Sequence, residues 1–282
     1  EEGMIFTESE KYKNNIFSFD MLGEGARTIE DADRYFNDYV NSIHAVGKKL
    51  NNSSDIKYAN GVSIKISALH PRYERNKLSD LKDELVPKLI SLCQLARDYN
   101  IQLCIDAEEN YRLILSLILL DIIISDPSLK DWNGLGLALQ AYQKRSFNVI
   151  DWIERLAKEN QKIINVRLVK GAYWDSEIKL AQELGVPNYP VYTRKSSTDI
   201  SWMACALKLL EKQTVFFLNL HPIMLIQLHL LKNLEKTKFL NSKEFMGWQT
   251  KFIIILIGMR VTIMKNAEFM PLSENMMIYC LI

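Results

Sequence analysis

What this 282-residue chain has little of narrows its class first. Its four cysteines, Cys93, Cys104, Cys205 and Cys280, show no close spacing, and three lie in apolar segments. No disulfide framework is expected, and buried reduced thiols in a cytoplasmic protein are the default. The four histidines are scattered too; His221 and His229 are not at helix-ligand spacing, and no Cys or carboxylate completes a set, so no metal is expected. A net charge of +1 offers no general attraction to nucleic acid or anionic lipid. The apolar run FIIILIGM (Phe252 to Met259) is shorter than the roughly 18 to 20 residues a membrane helix needs. The polar opening, EEGMIFTESEKYKNN, is neither signal peptide nor membrane anchor, and without an initial Met it is expected to belong to a longer product. One further absence is positional: residues 200–282 contain no aspartate.

What is present up to that point is a regular alternation. Ile16 to Leu22 reads as a strand and Thr28 to Leu50 as a helix with Ala32, Tyr35, Phe36, Tyr39, Val40 and Ile43 on one face. Gly61 to Ser67 is a second strand, Leu78 to Tyr99 a long helix, and Ile101 to Ala107 a third strand. A helix over Tyr111 to Ile124, a strand over Leu135 to Ala141 and a helix over Val149 to Asn160 follow. Apolar strands alternating with helices predict a parallel sheet covered by helices, hence α/β. Lys65, Asp106, Gln140 and Arg167 each interrupt an apolar strand near its carboxyl end, on successive βα units. In a (β/α)8 barrel those ends meet on one face, where such enzymes keep their chemistry. For any one of them a structural salt bridge is the simpler reading; four in register favour a site.

The stretch NVRLVKGAYWDSEIK (Asn165 to Lys179) concentrates this pattern. It runs from a buried strand through Gly171, where backbone can approach a ligand, to Tyr173, Trp174 and an expected N-cap at Asp175. Further on, YTRKSSTD precedes an expected helix over Ile200 to Lys212. Its Thr193, Arg194, Lys195 and Thr198 suit a phosphate, although Thr198 or Asp199 acting as a plain N-cap explains the segment equally well.

Taken together, FSFDMLGEGA, SIKISALHPRYE, IDAEE, WNGLGLALQAYQKR, VRLVKGAYWDSEIK, YPVYTRKSSTD and ACALKLL resemble the proline dehydrogenase domain of the bifunctional proline-utilisation flavoproteins (PutA), over roughly Ile16 to Phe217. The resemblance implies a TIM-like (β/α)8 barrel that holds FAD, oxidises L-proline to 1-pyrroline-5-carboxylate and passes electrons to a membrane quinone. It implies a cytoplasmic protein, peripheral at the inner face of the membrane, homo-oligomeric when intact, with no nucleic-acid partner through this segment. By motif, Arg167, Val169, Lys170, Gly171, Ala172 and Trp174 would line the flavin, and Gln140 would reach its ring system. Thr193, Arg194, Lys195 and Thr198 would hold the rest of FAD. Lys65 would bind the substrate carboxylate, Asp106 would sit beside it, and Tyr173 would pack against the proline ring; with Arg167 these form the expected catalytic set.

After Phe217 the resemblance stops and methionine becomes frequent. Permitted codons for FFLNLHPIMLIQ, read from each codon's third base, give FPQFASHNAYT. EFMGW gives His-Gly-Met, and Glu268 to Tyr279 gives IYAPVGEYDDL or VYAPVGEYDDL. The two aspartates are forced, because Met276 and Met277 have one codon each. The reading is therefore a lead-in (1–15), a partial barrel of about five βα units (16–217), and an out-of-frame tail (218–282). The resemblance places a tyrosine, an FAD-contacting His-Asn and a carboxylate-clamping Arg pair in the lost part. A chain like this is expected to fold poorly, bind FAD weakly if at all and turn over no proline. The alternatives are a non-catalytic remnant or binding fragment, and an unrelated barrel using Lys65 as a Schiff-base nucleophile. Sequencing the coding DNA should reveal a shifted frame that continues into PutA-like sequence past codon 217; an uninterrupted alternative gene there would sink the frame-shift reading.

Overall fold

The computed structural model describes residues 16–21, 23–49, 53–212, 214–219 and 276–281. Its strands are β1 (Ile16–Met21), β2 (Gly61–Ile64), β3 (Gln102–Ile105), β4 (Leu135–Gln140), β5 (Ile164–Val169), β6 (Phe216–Asn219) and β7 (Met276–Leu281). The helices are α1 (Ile29–Lys49), α2 (Leu78–Glu84), α3 (Val86–Asp98), α4 (Leu113–Ile124), α5 (Ser146–Glu159), α6 (Trp174–Glu183) and α7 (Lys195–Glu211). One sheet in the order β6-β5-β4-β3-β2-β1-β7 contains every strand. From β1 to β6 each strand lies parallel beside its predecessor in the chain. Parallel neighbours joined in chain order through helices are how a TIM-like barrel winds. Helix α1 packs on α3, α3 on α4, and α5 on α7.

The two faces of this sheet differ in chemistry because strand side chains alternate. Phe17, Phe19, Val62, Ile64, Leu103, Ile105, Leu135, Leu137, Leu139, Ile164, Val166 and Leu168 form the helix-side face, all buried in one apolar core. The other face carries small residues such as Gly136 and Ala138 together with Ser18, Asp20, Ser63, Gln102, Asn165 and Arg167, which are polar yet also buried. They are satisfied across the strands, for example by Asn165 Nδ2 donating to Gln102 Oε1 and by a 3.1 Å contact between the Ser18 and Ser63 hydroxyls. An all-apolar concave face would have served packing as well, so this polar lining points to a site.

Several sequence expectations change in detail. The helix expected from Leu78 to Tyr99 is two helices meeting at Leu85, with Pro87 in the first turn of α3. Proline lacks an N–H and its ring crowds the carbonyl four residues back, so one continuous helix cannot pass through it. Helix α3 ends in a Schellman turn: Asn100 takes φ 51°, and the Asn100 and Ile101 amides bond Arg97 O and Ala96 O. The same turn at Gln161 (φ 53°) feeds α5 into β5. Beyond the five expected units there is a short sixth parallel strand, β6. The expectation that the tail carries no barrel element meets β7, which runs antiparallel to β1 from Ile16↔Leu281 to Met21↔Met276. A closing barrel strand would be parallel there. Among the described residues β6 has no second neighbour, so the barrel is not closed. The rest of the tail, including FIIILIGM, lies outside the described residues.

Strands β4 and β5 approach so closely that a Cβ on Gly136 would stand 2.5 Å from the Asn165 carbonyl oxygen. Gly136→Ala must therefore part the ladder, and is expected to cost about 1–3 kcal/mol, read as a lower urea midpoint. No change would mean the strands are looser than described.

Candidate active site

At the carboxyl ends of the parallel strands four charged side chains meet below solvent. Asp20 sits near the end of β1, Lys65 follows β2, Asp106 follows β3, and Arg167 is within β5. Lys65 Nζ donates to Asp20 Oδ1 at 2.7 Å and to Asp106 Oδ2 at 3.0 Å. Arg167 Nη2 donates to Asp106 Oδ1, and its Nη1 to Ser63 Oγ at 2.6 Å. The Lys65 amide is held by the buried Tyr39 hydroxyl of α1 at 3.0 Å. Asp20 and Asp106 are only 5% and 7% exposed and Arg167 9%, so their desolvation must be repaid by one another. Burial alone would push the Lys65 ammonium down, but Asp106 and Asp20 outweigh it and raise it above its ordinary value. Burial, and then the charge of Asp106, raise the Asp20 carboxyl. The cluster holds two carboxylates and two cations, and Lys65 keeps its positive charge.

Gln140, buried at the end of β4, lies beside this ring but is not bonded into it. Its Nε2 donates to Ala107 O at 3.4 Å and its Oε1 accepts from Gln143 Nε2 at 3.0 Å. Val169 ends β5, the loop after it carries Lys170, Gly171, Ala172 and Tyr173, and Trp174 opens α6. Gly171 takes φ +137°, and a Cβ there would lie 2.5 Å from the Tyr142 ring. Glycine is thus required by the fold at this turn as well as suited to a ligand. The N-cap position of α6 is Tyr173, not Asp175, which falls in the first turn. The Tyr173 hydroxyl donates to Glu24 Oε2 at 2.7 Å, tying the loop after β5 to the loop after β1. Trp174 is 41% exposed, its Nε1 donating to Tyr192 O at 3.0 Å.

Helix α7 begins at Lys195, five positions before the expected Ile200, with Arg194 at the N-cap position and no side-chain cap. Neither Thr198 nor Asp199 is therefore the cap. Thr193, Arg194 and Lys195 are exposed at the helix N-terminus, whereas Thr198 is buried in its first turn. Asp199 Oδ1 accepts from both Lys170 Nζ and Lys195 Nζ, the latter at 3.4 Å, so part of this positive charge is already balanced.

Three acids escaped the sequence reading. Asp20 interrupts an apolar strand as Lys65 and Arg167 do, and the same rule applied to β1 would have found it. Glu24 stands between two glycines of positive φ, Gly23 and Gly25. Buried Glu108 accepts from the Ser67 amide at 3.0 Å and from Arg112 Nη1 at 2.5 Å. Ser67 in turn accepts from the Gly25 and Ala26 amides, so Glu108 secures the loops after β1 and β2.

A family model described as proline dehydrogenase matches residues 6–223. The chain belongs to the proline dehydrogenase family. It is 53% identical over 201 residues to the bifunctional protein PutA of Salmonella typhimurium, covering 71% of this chain and 15% of that protein. The Escherichia coli bifunctional protein PutA matches with the same identity and coverage. A crystal structure of a Bradyrhizobium japonicum Proline Utilization A (PutA) variant is 50% identical and superposes with a TM-score of 0.70, over 72% of this chain and 21% of that one. The chain thus spans about 15% of the length of these curated relatives. Among the described residues no helix is long and apolar enough to cross a membrane.

Removing one member of a buried ion pair strands the other. Arg167→Met should destabilise the fold by about 3–5 kcal/mol at neutral pH, against less than about 1 kcal/mol for Lys179→Met on the exposed face of α6. Equal urea midpoints for the two variants would show that the ring is not holding the strand ends.

Proposed function

We propose that residues 16–217 are the proline-oxidising unit of a PutA-type protein, with residues 1–15 a lead-in and 218–282 an aberrant tail. The reaction is oxidation of L-proline to 1-pyrroline-5-carboxylate with FAD as cofactor and a membrane quinone as final acceptor. The observation that carries this reading is the buried Lys65–Asp106–Arg167 cluster at the carboxyl ends of β2, β3 and β5, in a chain of the proline dehydrogenase family.

The donor set suits a planar, polyanionic cofactor. Arg167 and the Gln140 amide flank the strand ends, and Val169 at the end of β5, Lys170, Gly171 and Ala172 in the loop, and the exposed Trp174 indole at the start of α6 adjoin them. Thr193, Arg194, Lys195 and Thr198 stand at a helix N-terminus, where backbone N–H groups and cations favour a diphosphate. FAD, when bound, supplies the acceptor for a hydride from the carbon next to the proline nitrogen. Lys65 holds the substrate carboxylate as a charged donor, and Asp106 keeps that ammonium charged and oriented. Arg167 would offer positive charge to the cofactor's ring system when it is bound. Tyr173, restrained by Glu24, packs beside the ring of proline. The raised, doubly paired Lys65 amine is unsuited to act as a neutral Schiff-base nucleophile.

The reading extends to the loss of function. The family match ends at residue 223, and the strand beside β1 is antiparallel where barrel closure needs a parallel one. The chain by itself is an impaired version of the enzyme; the intact protein is a cytoplasmic homo-oligomer that docks on the membrane to reach quinone. Purified residues 1–282 should show no flavin absorbance and no proline-dependent dye reduction. Repairing the frame after Phe217 should restore both. A flavin peak with turnover from the unrepaired chain would overturn the impairment, and a repaired chain inert toward proline would overturn the substrate.

A further inference from the structure

The Lys65 ammonium has three N–H donors, and among the described residues two of them are committed, one to Asp20 and one to Asp106. Asp106 is shared, because its other oxygen serves Arg167. Among the described residues the ion pair of Asp20 is with Lys65, and the charge of Arg167 acts on it more weakly. The backbone explains the division of labour. Asp20 and Ser63 are register partners on neighbouring parallel strands, so Asp20 faces the same side as Ser63 and lies under the first residue beyond β2. Lys65 meets Asp20 from β1, the Tyr39 hydroxyl of α1 at its amide, and Asp106 just after β3, whose other oxygen faces Arg167 of β5. Without Asp20, one carboxylate would face two cations.

We infer that Asp20 is a positioning residue: it holds the Lys65 ammonium in place and charge-balanced, with its third N–H left to receive a ligand carboxylate. The second half rests on the proposed role of Lys65 toward proline; the first does not. Asp20 supplies the anion that lets Asp106 serve Arg167 and Lys65 at once. It touches no reacting atom, and acts only through the lysine. An opposite charge this close shifts a titration by about one to three units, so removing it exposes a larger neutral fraction of Lys65 at any alkaline pH.

The test is competitive acetylation of the full chain with acetic anhydride, following the Lys65 peptide by mass spectrometry between pH 8 and 11, with and without L-proline and added FAD. Lys65 should react far more slowly than exposed Lys179 in the parent chain. Asp20→Asn should raise its rate about tenfold at a given pH, and Asp20→Glu should bring the rate back toward the parent's. Circular dichroism reports whether each variant keeps its helices. Should Asp20→Asn unfold, a cycle with Lys65→Met decides: Asp20→Asn must cost clearly less stability when Lys65 is already absent. A parent Lys65 as reactive as Lys179, an unchanged rate in a folded Asp20→Asn variant, or an additive cycle each overturns the inference. Protection of Lys65 by L-proline is judged apart. Its absence in the chain whose frame is repaired after Phe217, with the Asp20 effect intact, removes the proline reading and leaves the Asp20–Lys65 pair standing.

Discussion

Two carboxylates and two cations buried at one end of a parallel sheet set the terms for this molecule. None could remain charged there alone, because desolvating a single ion costs several kcal/mol. Asp20, Lys65, Asp106 and Arg167 therefore have to arrive together, from four strands whose register brings their ends to one level. That requirement explains the small and polar residues around them. Ser63 accepts from the guanidinium and Ser18 contacts the Ser63 hydroxyl in turn, while Gly136 lets β4 close on β5. The apolar cost is met on the opposite face, where every alternate side chain is aliphatic or aromatic and packs against helices.

The loops on this face are secured to one another as well as to the sheet. Glu108 bonds the segment after β2, which bonds the segment after β1, and Glu24 from that segment reaches Tyr173 beyond β5. A surface built from residues far apart in the chain thus behaves as one lining. The open edges mark the weak point. Strand β1 is covered by an antiparallel neighbour and β6 has no second one among the described residues, so the lining is complete on one side and unfinished on the other.

Much of this was legible from residue order. Lys65, Asp106 and Arg167 stood out because each breaks an apolar strand at its end, and the structure bonds those three together. Gln140 obeyed the same rule but lies next to the ring without joining it. A strand position tells which face and which end a side chain occupies, not which neighbour it meets. The starts of α6 and α7 were misplaced by two and five residues, since Asp175, Thr198 and Asp199 look like caps in sequence. Lysines reaching across to Asp199 and a glycine packed under Tyr142 are tertiary facts that no local rule supplies. Pro87, by contrast, carried a local signal for the break between α2 and α3 that the apolar periodicity masked.

The sequence by itself determined the α/β class, the family, and the change of character after Phe217, because strand alternation and long motifs are properties of order along one chain. Only the tertiary structure decided that Asp20 is the second partner of Lys65, that the concave face is a satisfied polar network, and that β1 is met by an antiparallel strand. The reason is electrostatic and geometric: a buried charge is defined by what lies within about 3 Å of it, and those atoms come from residues between 41 and 61 positions away.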